Sequence, residues 1–298
     1  MGSYDSIKFI FNYKRIAFMS MFRKKERIHK KRLDEYIHCK RFLEMYMCNK
    51  EMEEIYEFIS SIDYIPLIPY SFINEYDSRK ICIYYDEKYG GYYTKYHSKN
   101  MYLKKSMDKV QAENYVRGIL MEQDVRSPHH YSYAVDSDDI VADVGAAEGF
   151  FALDLVDKVK KIYLFECDSE WIQALHMTFL PYKEKVEIIP KYVSDTDDAT
   201  HVTLNTFLMN RKLTLLKADI EGFEVAMLRG ADRVADNIET MILCTYHNMS
   251  DGDNISALLN KMGFKFHYGN GYMFCPNLGQ ESHALRKLCR PMLYAKRI

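Results

Sequence analysis

From residue 139 onward the chain alternates short apolar runs with longer segments in which apolar residues recur every three or four positions. The runs read as buried strands over 139–144, 161–166, 185–189, 213–219, 239–246, 264–268 and 271–275. The periodic segments between them read as helices over 149–159, 169–180, 203–210, 222–229 and 253–262, with Pro181 stopping the second. Such alternation predicts an α/β fold: a mostly parallel sheet with helices on both faces. Gly269-Asn270-Gly271 lies between the last two runs and is a hairpin signal, so the sheet is expected to end in an antiparallel pair.

Upstream the pattern changes. Residues 1 to about 60 contain no proline and one glycine, and they read as mainly helical. Ile65-Pro66-Leu67-Ile68-Pro69 ends that region. The runs 81–85 and 92–96 flank Asp86 to Gly91 and predict a hairpin. Five tyrosines at 84, 85, 89, 92 and 93 are taken there as ordinary strand residues, the competing reading being a stacking surface. A helix is expected over 107–122. The polar stretch 122–131 follows, and it either folds over a ligand or serves as a linker. The expected organisation is a helical-plus-hairpin region over 1–105, a connecting helix and covering segment over 106–138, the sheet domain over 139–276 and a basic helical tail over 277–298.

Composition adds exclusions. With 48% hydrophobic residues in 298 the chain can bury a sizeable core, and a net charge of −1 gives no global attraction to nucleic acid or membrane. No apolar run approaches the ~20 residues of a membrane span. Lys8, Lys14 and Arg15 interrupt the first apolar stretch, which argues against a secretory signal. The basic run Arg23 to Arg32 reads as a solvated helix face, the alternative being a landing surface for an anion. Seven scattered cysteines without a Cys-x-x-Cys predict neither a metal cage nor a disulfide framework, but reduced thiols in a cytoplasmic protein.

The candidate chemistry starts at Asp143-Val144-Gly145-Ala146-Ala147-Glu148-Gly149-Phe150, which reads as a strand end, a tight loop and a helix start. Glu166 ends the next strand, twenty-one residues after Gly145, where an acid can accept hydrogen bonds from ribose hydroxyls. A dinucleotide loop needs a middle glycine, and its phosphates would meet Glu148. A cofactor with a cationic centre and no phosphate, such as S-adenosylmethionine, suits this loop better. Ligands of open α/β sheets bind beyond the carboxyl ends of the strands. The polar strand ends are Asp143, Glu166 with Cys167 and Asp168, Asp219 with Glu221, and Tyr246-His247. Residues two apart on a strand share a face, so Asp219 and Glu221 would both meet the cleft if the strand continues through them.

Val141 to Phe150, Tyr163 to Glu166 and Leu216 to Val225, with Met227 to Ala231, resemble the FkbM family of class I S-adenosylmethionine-dependent methyltransferases over roughly 139–275. The resemblance implies a seven-stranded Rossmann-like methyltransferase sheet. It implies O-methylation, often of sugar hydroxyls in glycans or glycosylated metabolites. By motif, Gly145, Ala146, Ala147, Glu148, Gly149 and Phe150 would cradle the methionine part. Glu166 would hold the ribose beside Cys167 and Asp168. Ser194 and Asp195 would lie near the adenine, and Asp219 near the methyl centre. His247 or Asp219 would be the general base, with Glu221 orienting the acceptor or the base. A divalent metal shared by Asp219, Glu221 and His247 is the less favoured reading. The competing functions are a nicotinamide-dependent oxidoreductase and a non-catalytic binding protein on the same fold. The expected partner is a small-molecule or glycan acceptor and not nucleic acid, with a homodimer through the N-terminal helices left open.

Overall fold

The computed structural model describes residues 50–62, 64–248, 250–274 and 288–298. The expected helices before residue 50, the basic run Arg23 to Arg32 and the tail over 280–287 lie outside the described residues. Seven strands form the central sheet: β4 (Ile140–Val144), β5 (Lys161–Phe165), β6 (Val186–Ile189), β9 (Leu213–Ala218), β10 (Ile238–Cys244), β11 (Phe264–Tyr268) and β14 (Met292–Arg297). Their spatial order is β11-β14-β10-β9-β4-β5-β6. The five from β10 to β6 are mutually parallel, and β14 runs antiparallel to both of its neighbours.

Burial explains the continuous apolar runs. Helices cover both faces, so successive strand residues are buried on opposite sides. Ile162 and Leu164 of β5 join one core, while Phe165 joins the other. The first core contains α2 (Lys109–Glu122), α3 (Phe150–Leu155) and α4 (Ser169–Thr178). The second contains α5 (Leu204–Leu208), α6 (Glu224–Arg229) and α7 (Asp251–Lys261). Short strands β7 (Tyr192–Ser194) and β8 (His201–Thr203) pair beside this sheet. Asp108 opens α2 with a reciprocal cap: its carboxylate accepts from the Gln111 amide, and the Gln111 side chain accepts from the Asp108 amide.

Two expectations about chain ends are corrected. The Gly269-Asn270-Gly271 segment does not close a hairpin between neighbouring strands. β11 pairs with β14, whereas β12 (Met273–Phe274) pairs with β13 (Leu288–Cys289) in a separate two-stranded sheet. The end of the supposed helical tail is β14 itself. Met292-Leu293-Tyr294-Ala295-Lys296-Arg297 holds several good helix formers, but ladder pairing on both edges overrides that preference.

Upstream, α1 (Lys50–Ser60) buries Met52, Ile55 and Ile59 against Phe274 and Leu288. The expected hairpin is β1 (Tyr84–Asp86) with β2 (Gly91–Tyr96), extended by a third strand, β3 (Lys99–Tyr102). His97 and Ser98 make that second turn with φ of 44° and 68°, which few non-glycine pairs adopt, so it carries no sequence signal. Tyr84 faces Tyr93 and Tyr85 faces Tyr92 across the ladder, as strand tyrosines do. Cys82, Cys167 and Cys244 are free, whereas Cys289 is disulfide-bonded. The all-thiol expectation is therefore corrected at Cys289. Among the described residues no helix is long and apolar enough to cross a membrane.

Candidate active site

The loop after β4 is shaped by two left-handed glycines. Gly145 has φ of 79°, and a Cβ there would stand 2.1 Å from the Asp219 carbonyl oxygen. Gly149 has φ of 82°, and a Cβ would meet the Phe179 ring at 2.6 Å. Only glycine lets the loop lie this close to its neighbours. Ala147, between them, also takes a positive φ of 47°. Its amide donates to Glu166 Oε2 at 2.8 Å, which ties the loop to the tip of β5.

Glu166 does more than wait for a ribose. Its Oε1 accepts from the amides of Cys167 and Asp168 at 2.8 and 2.9 Å, so three backbone N–H groups already hold this buried carboxylate. An ionised carboxylate offers about four lone-pair sites, which leaves room for one further donor. Asp168 is engaged elsewhere: it caps α4 through the amides of Glu170 and Trp171 and pairs with Lys104 at 2.7 Å. Burial pushes the half-buried Cys167 thiol up to about 12. Glu148 is buried and takes the Tyr115 hydroxyl of α2 at 2.5 Å. Phe150 starts α3 and packs on Tyr96, ring centroids 4.3 Å apart. Ser194 turns its hydroxyl onto Thr196 and its carbonyl lies under Gly230, while Asp195 is exposed.

Asp143 is fully buried, and the ammonium of Lys217 sits 2.9 Å from its Oδ1 and 3.0 Å from the Gly145 carbonyl. Burial pulls Lys217 down, but Asp143 and Asp219 outweigh it and hold its pKa above the ordinary value. Burial pushes Asp143 up against the pull of Lys217. At this separation, with a carbonyl as second acceptor, the two form a charged pair. Lys217 went unassigned in the sequence; the available signal was a lone cation inside an apolar strand.

The strand β9 ends at Ala218, so Asp219 and Glu221 do not share a strand face as the spacing suggested. Glu221 is brought in by a turn, with φ of 57°. The destination is the same. His247, 2% exposed, places Nε2 3.2 Å from Asp219 Oδ1 and 3.8 Å from Glu221, and Nδ1 3.0 Å from Glu224. These are close charge contacts; neither ring nitrogen meets full hydrogen-bond geometry. Burial works against the charged ring, yet Glu224, Asp219 and Glu221 together hold it protonated well above the usual histidine range. While it is protonated, the ring has no lone pair with which to take a proton. Glu224, fully buried, also accepts the Ile220 amide at 2.9 Å.

The segment after α2 folds over these strand tips. Tyr131 donates to Asp219 Oδ2 at 3.3 Å, and Tyr246 approaches Oδ1 at 3.5 Å. The Tyr131 amide donates to Gln123 Oε1 at 3.1 Å, so the Gln123 amino group faces His129 Nδ1 at 3.3 Å. That leaves His129 Nε2 carrying the proton, which it donates to the Tyr246 hydroxyl at 3.1 Å. Two trios have ligand spacing for a metal, His129-Asp219-Cys244 and Asp219-Glu224-His247.

Residues 182–266 match the family model described as Methyltransferase FkbM domain. Over that span the chain is similar to the FkbM methyltransferase domain. The matched span runs from the approach to β6 into β11 and contains Lys217, Asp219, Glu221, Glu224 and His247. Nothing among curated proteins matches the chain. Of solved structures, the chain is similar to a methyltransferase FkbM from Methylobacillus flagellatus at 15% identity and a TM-score of 0.45, over 63% of this chain and 55% of that one. It thus spans little over half the length of that FkbM relative. It is also similar to a precorrin-6y C5,15-methyltransferase from Geobacter metallireducens at 10% identity and a TM-score of 0.39, over 66% and 93% of the two chains. A putative methyltransferase from Streptococcus mutans in complex with SAH is similar at 10% identity and a TM-score of 0.38, over 55% and 91%.

Proposed function

We propose that the chain transfers a methyl group from S-adenosylmethionine to a hydroxyl oxygen, with a sugar or sugar-bearing molecule as acceptor. The observation that carries the reading is the charge at the strand tips: three carboxylates, Asp219, Glu221 and Glu224, surround one imidazolium. A buried excess of negative charge favours a cationic ligand, and the cofactor's sulfonium is one.

The residues present fit this cofactor. Gly145 and Gly149 keep the loop low enough for its backbone to approach a ligand. Asp143 Oδ2 and Glu224 Oε2 are buried acceptors with no hydrogen-bond partner among the described residues. Glu166 keeps an acceptor site for a ribose hydroxyl. Glu148, held by Tyr115, would repel the pyrophosphate of a nicotinamide cofactor. When bound, S-adenosylmethionine supplies an electrophilic methyl group.

The chain's own work is alignment and charge. Holding an acceptor oxygen in line can supply ~7–11 kcal/mol. Tyr131 and Tyr246 orient Asp219 beside His247. Glu221, at 27% side-chain exposure the most accessible of the three acids, takes the acceptor proton. Calorimetry with S-adenosylmethionine, S-adenosylhomocysteine and NAD tests the reading. The two adenosyl compounds should bind and NAD should not, and Glu221→Gln should weaken the sulfonium form more than its neutral product. NAD binding without either adenosyl compound defeats the proposal.

A further inference from the structure

A cavity of about 220 Å³ lies between β2, α2 and the segment that precedes β1. Its floor is apolar, built from Met101, Val116 and Ile119, all buried. Tyr96 and Phe150 form its inner wall, and Phe150 is the first residue after the cofactor loop. Its outer lining carries Arg79 and Lys80, both exposed, and no acid lines it; Lys95 borders it through its backbone, since its side chain lies on the other face of β2 from Thr94 and Tyr96. Tyr96 and Phe150 also line a second cavity of about 80 Å³, which reaches Tyr131, the donor to Asp219.

We infer that the larger cavity is a binding site for a small amphiphilic anion, an apolar ring carrying a carboxylate or a phosphate. The chemistry of the walls separates the two halves of such a ligand. The apolar floor gains from covering a hydrocarbon body, at roughly 25 cal/mol per Å² removed from water. The two cations meet the charge where it stays hydrated, and each adds only a modest attraction. A neutral sugar alone would leave the floor without an apolar partner, and a cation would meet two like charges. The position beside Phe150 makes this the anchoring subsite of the acceptor; that assignment rests on the methyl-transfer reading, whereas occupancy of the cavity does not.

Cys82 supplies the readout, because it is a free, exposed thiol in the cavity lining. Its alkylation by iodoacetamide, followed peptide by peptide in the full chain, should slow when the cavity is filled. The probes are phenyl phosphate, phenylacetate and the neutral 2-phenylethanol. A ligand at ten times its dissociation constant leaves about one cavity in eleven open, so alkylation slows about tenfold. Protection by one or both anions supports the site, and the stronger of the two identifies the anionic group. In Arg79→Glu/Lys80→Glu protection should require several-fold more anion. No protection by either anion, equal protection by 2-phenylethanol, or unchanged affinity in the charge-reversed variant overturns the inference. Calorimetry with S-adenosylhomocysteine on the same sample separates the two readings. Cofactor binding without Cys82 protection removes this site alone. Protection without cofactor binding removes the methyl-transfer reading and leaves the anion site standing.

Discussion

Replacing Lys217 by methionine should be among the most damaging single changes in the sheet. The ammonium bridges Asp143 Oδ1 at 2.9 Å and the Gly145 carbonyl at 3.0 Å, and Asp143 is fully buried. Methionine fills similar space but leaves the carboxylate without its cation. Breaking a buried pair from one side typically costs about 3–5 kcal/mol. A second estimate agrees. The orphaned Asp143 would instead take a proton, and protonating an ordinary carboxyl at pH 7 costs about 4 kcal/mol, three pH units at 1.36 kcal/mol each. The sign of the pH dependence follows. A carboxyl whose folded pKa is raised loses stability as pH climbs above its unfolded value, so the deficit of Lys217→Met should shrink towards pH 4. Urea denaturation at several pH values reads this directly, since ~4 kcal/mol moves the midpoint by more than about 1 M. Asp143→Leu/Lys217→Met should recover most of the loss. A deficit under about 1 kcal/mol at neutral pH, or one that does not change with pH, would refute the reasoning.

Three further outcomes are expected. Gly145→Ala should abolish S-adenosylhomocysteine binding in calorimetry while leaving far-ultraviolet circular dichroism native-like, because its methyl meets the Asp219 carbonyl at 2.1 Å; retained affinity would contradict the close approach. Glu166→Gln exchanges one acceptor oxygen for a donor facing backbone amides, and losing charged hydrogen bonds at about 1.5–3 kcal/mol each should weaken the same binding at least ~10-fold. His247 has a raised folded pKa, so its contribution is complete below the unfolded value of about 6.5 and disappears as pH rises through the folded one. The stability difference between the native chain and His247→Gln should therefore shrink towards alkaline pH, and a pH-independent difference would count against an imidazolium.

Much of the sheet was legible because strands buried on both faces are continuous apolar runs, and β4, β5, β9 and β10 stand out that way. The tight loop after β4 was legible from its glycines. Tertiary context hid the rest. β14 reads as helix until both of its edges are paired. Lys217 and Glu224 sit among residues that look like ordinary strand and helix positions, and only the folded neighbourhood gives them partners. His247 was located correctly as a member of the cluster. Its protonation depended on Glu224, which comes from a different element. Tyr131 lay in a segment with no pattern of its own, so only its contact with Asp219 revealed its place.

The position of β14 has a consequence for assembly. It comes after β11 in the chain yet stands between β11 and β10 in the sheet. β11 therefore has no hydrogen-bonded route to the parallel core until a later segment has inserted. Until then β10 and β11 each present an unsatisfied edge, the kind of surface on which chains pair wrongly with one another. A charge placed at Ala295, which is buried between the two ladders, should detach β11 as well as β14 and leave the five parallel strands behind. Detachment of both strands together, with the five parallel strands retained, is the expected result.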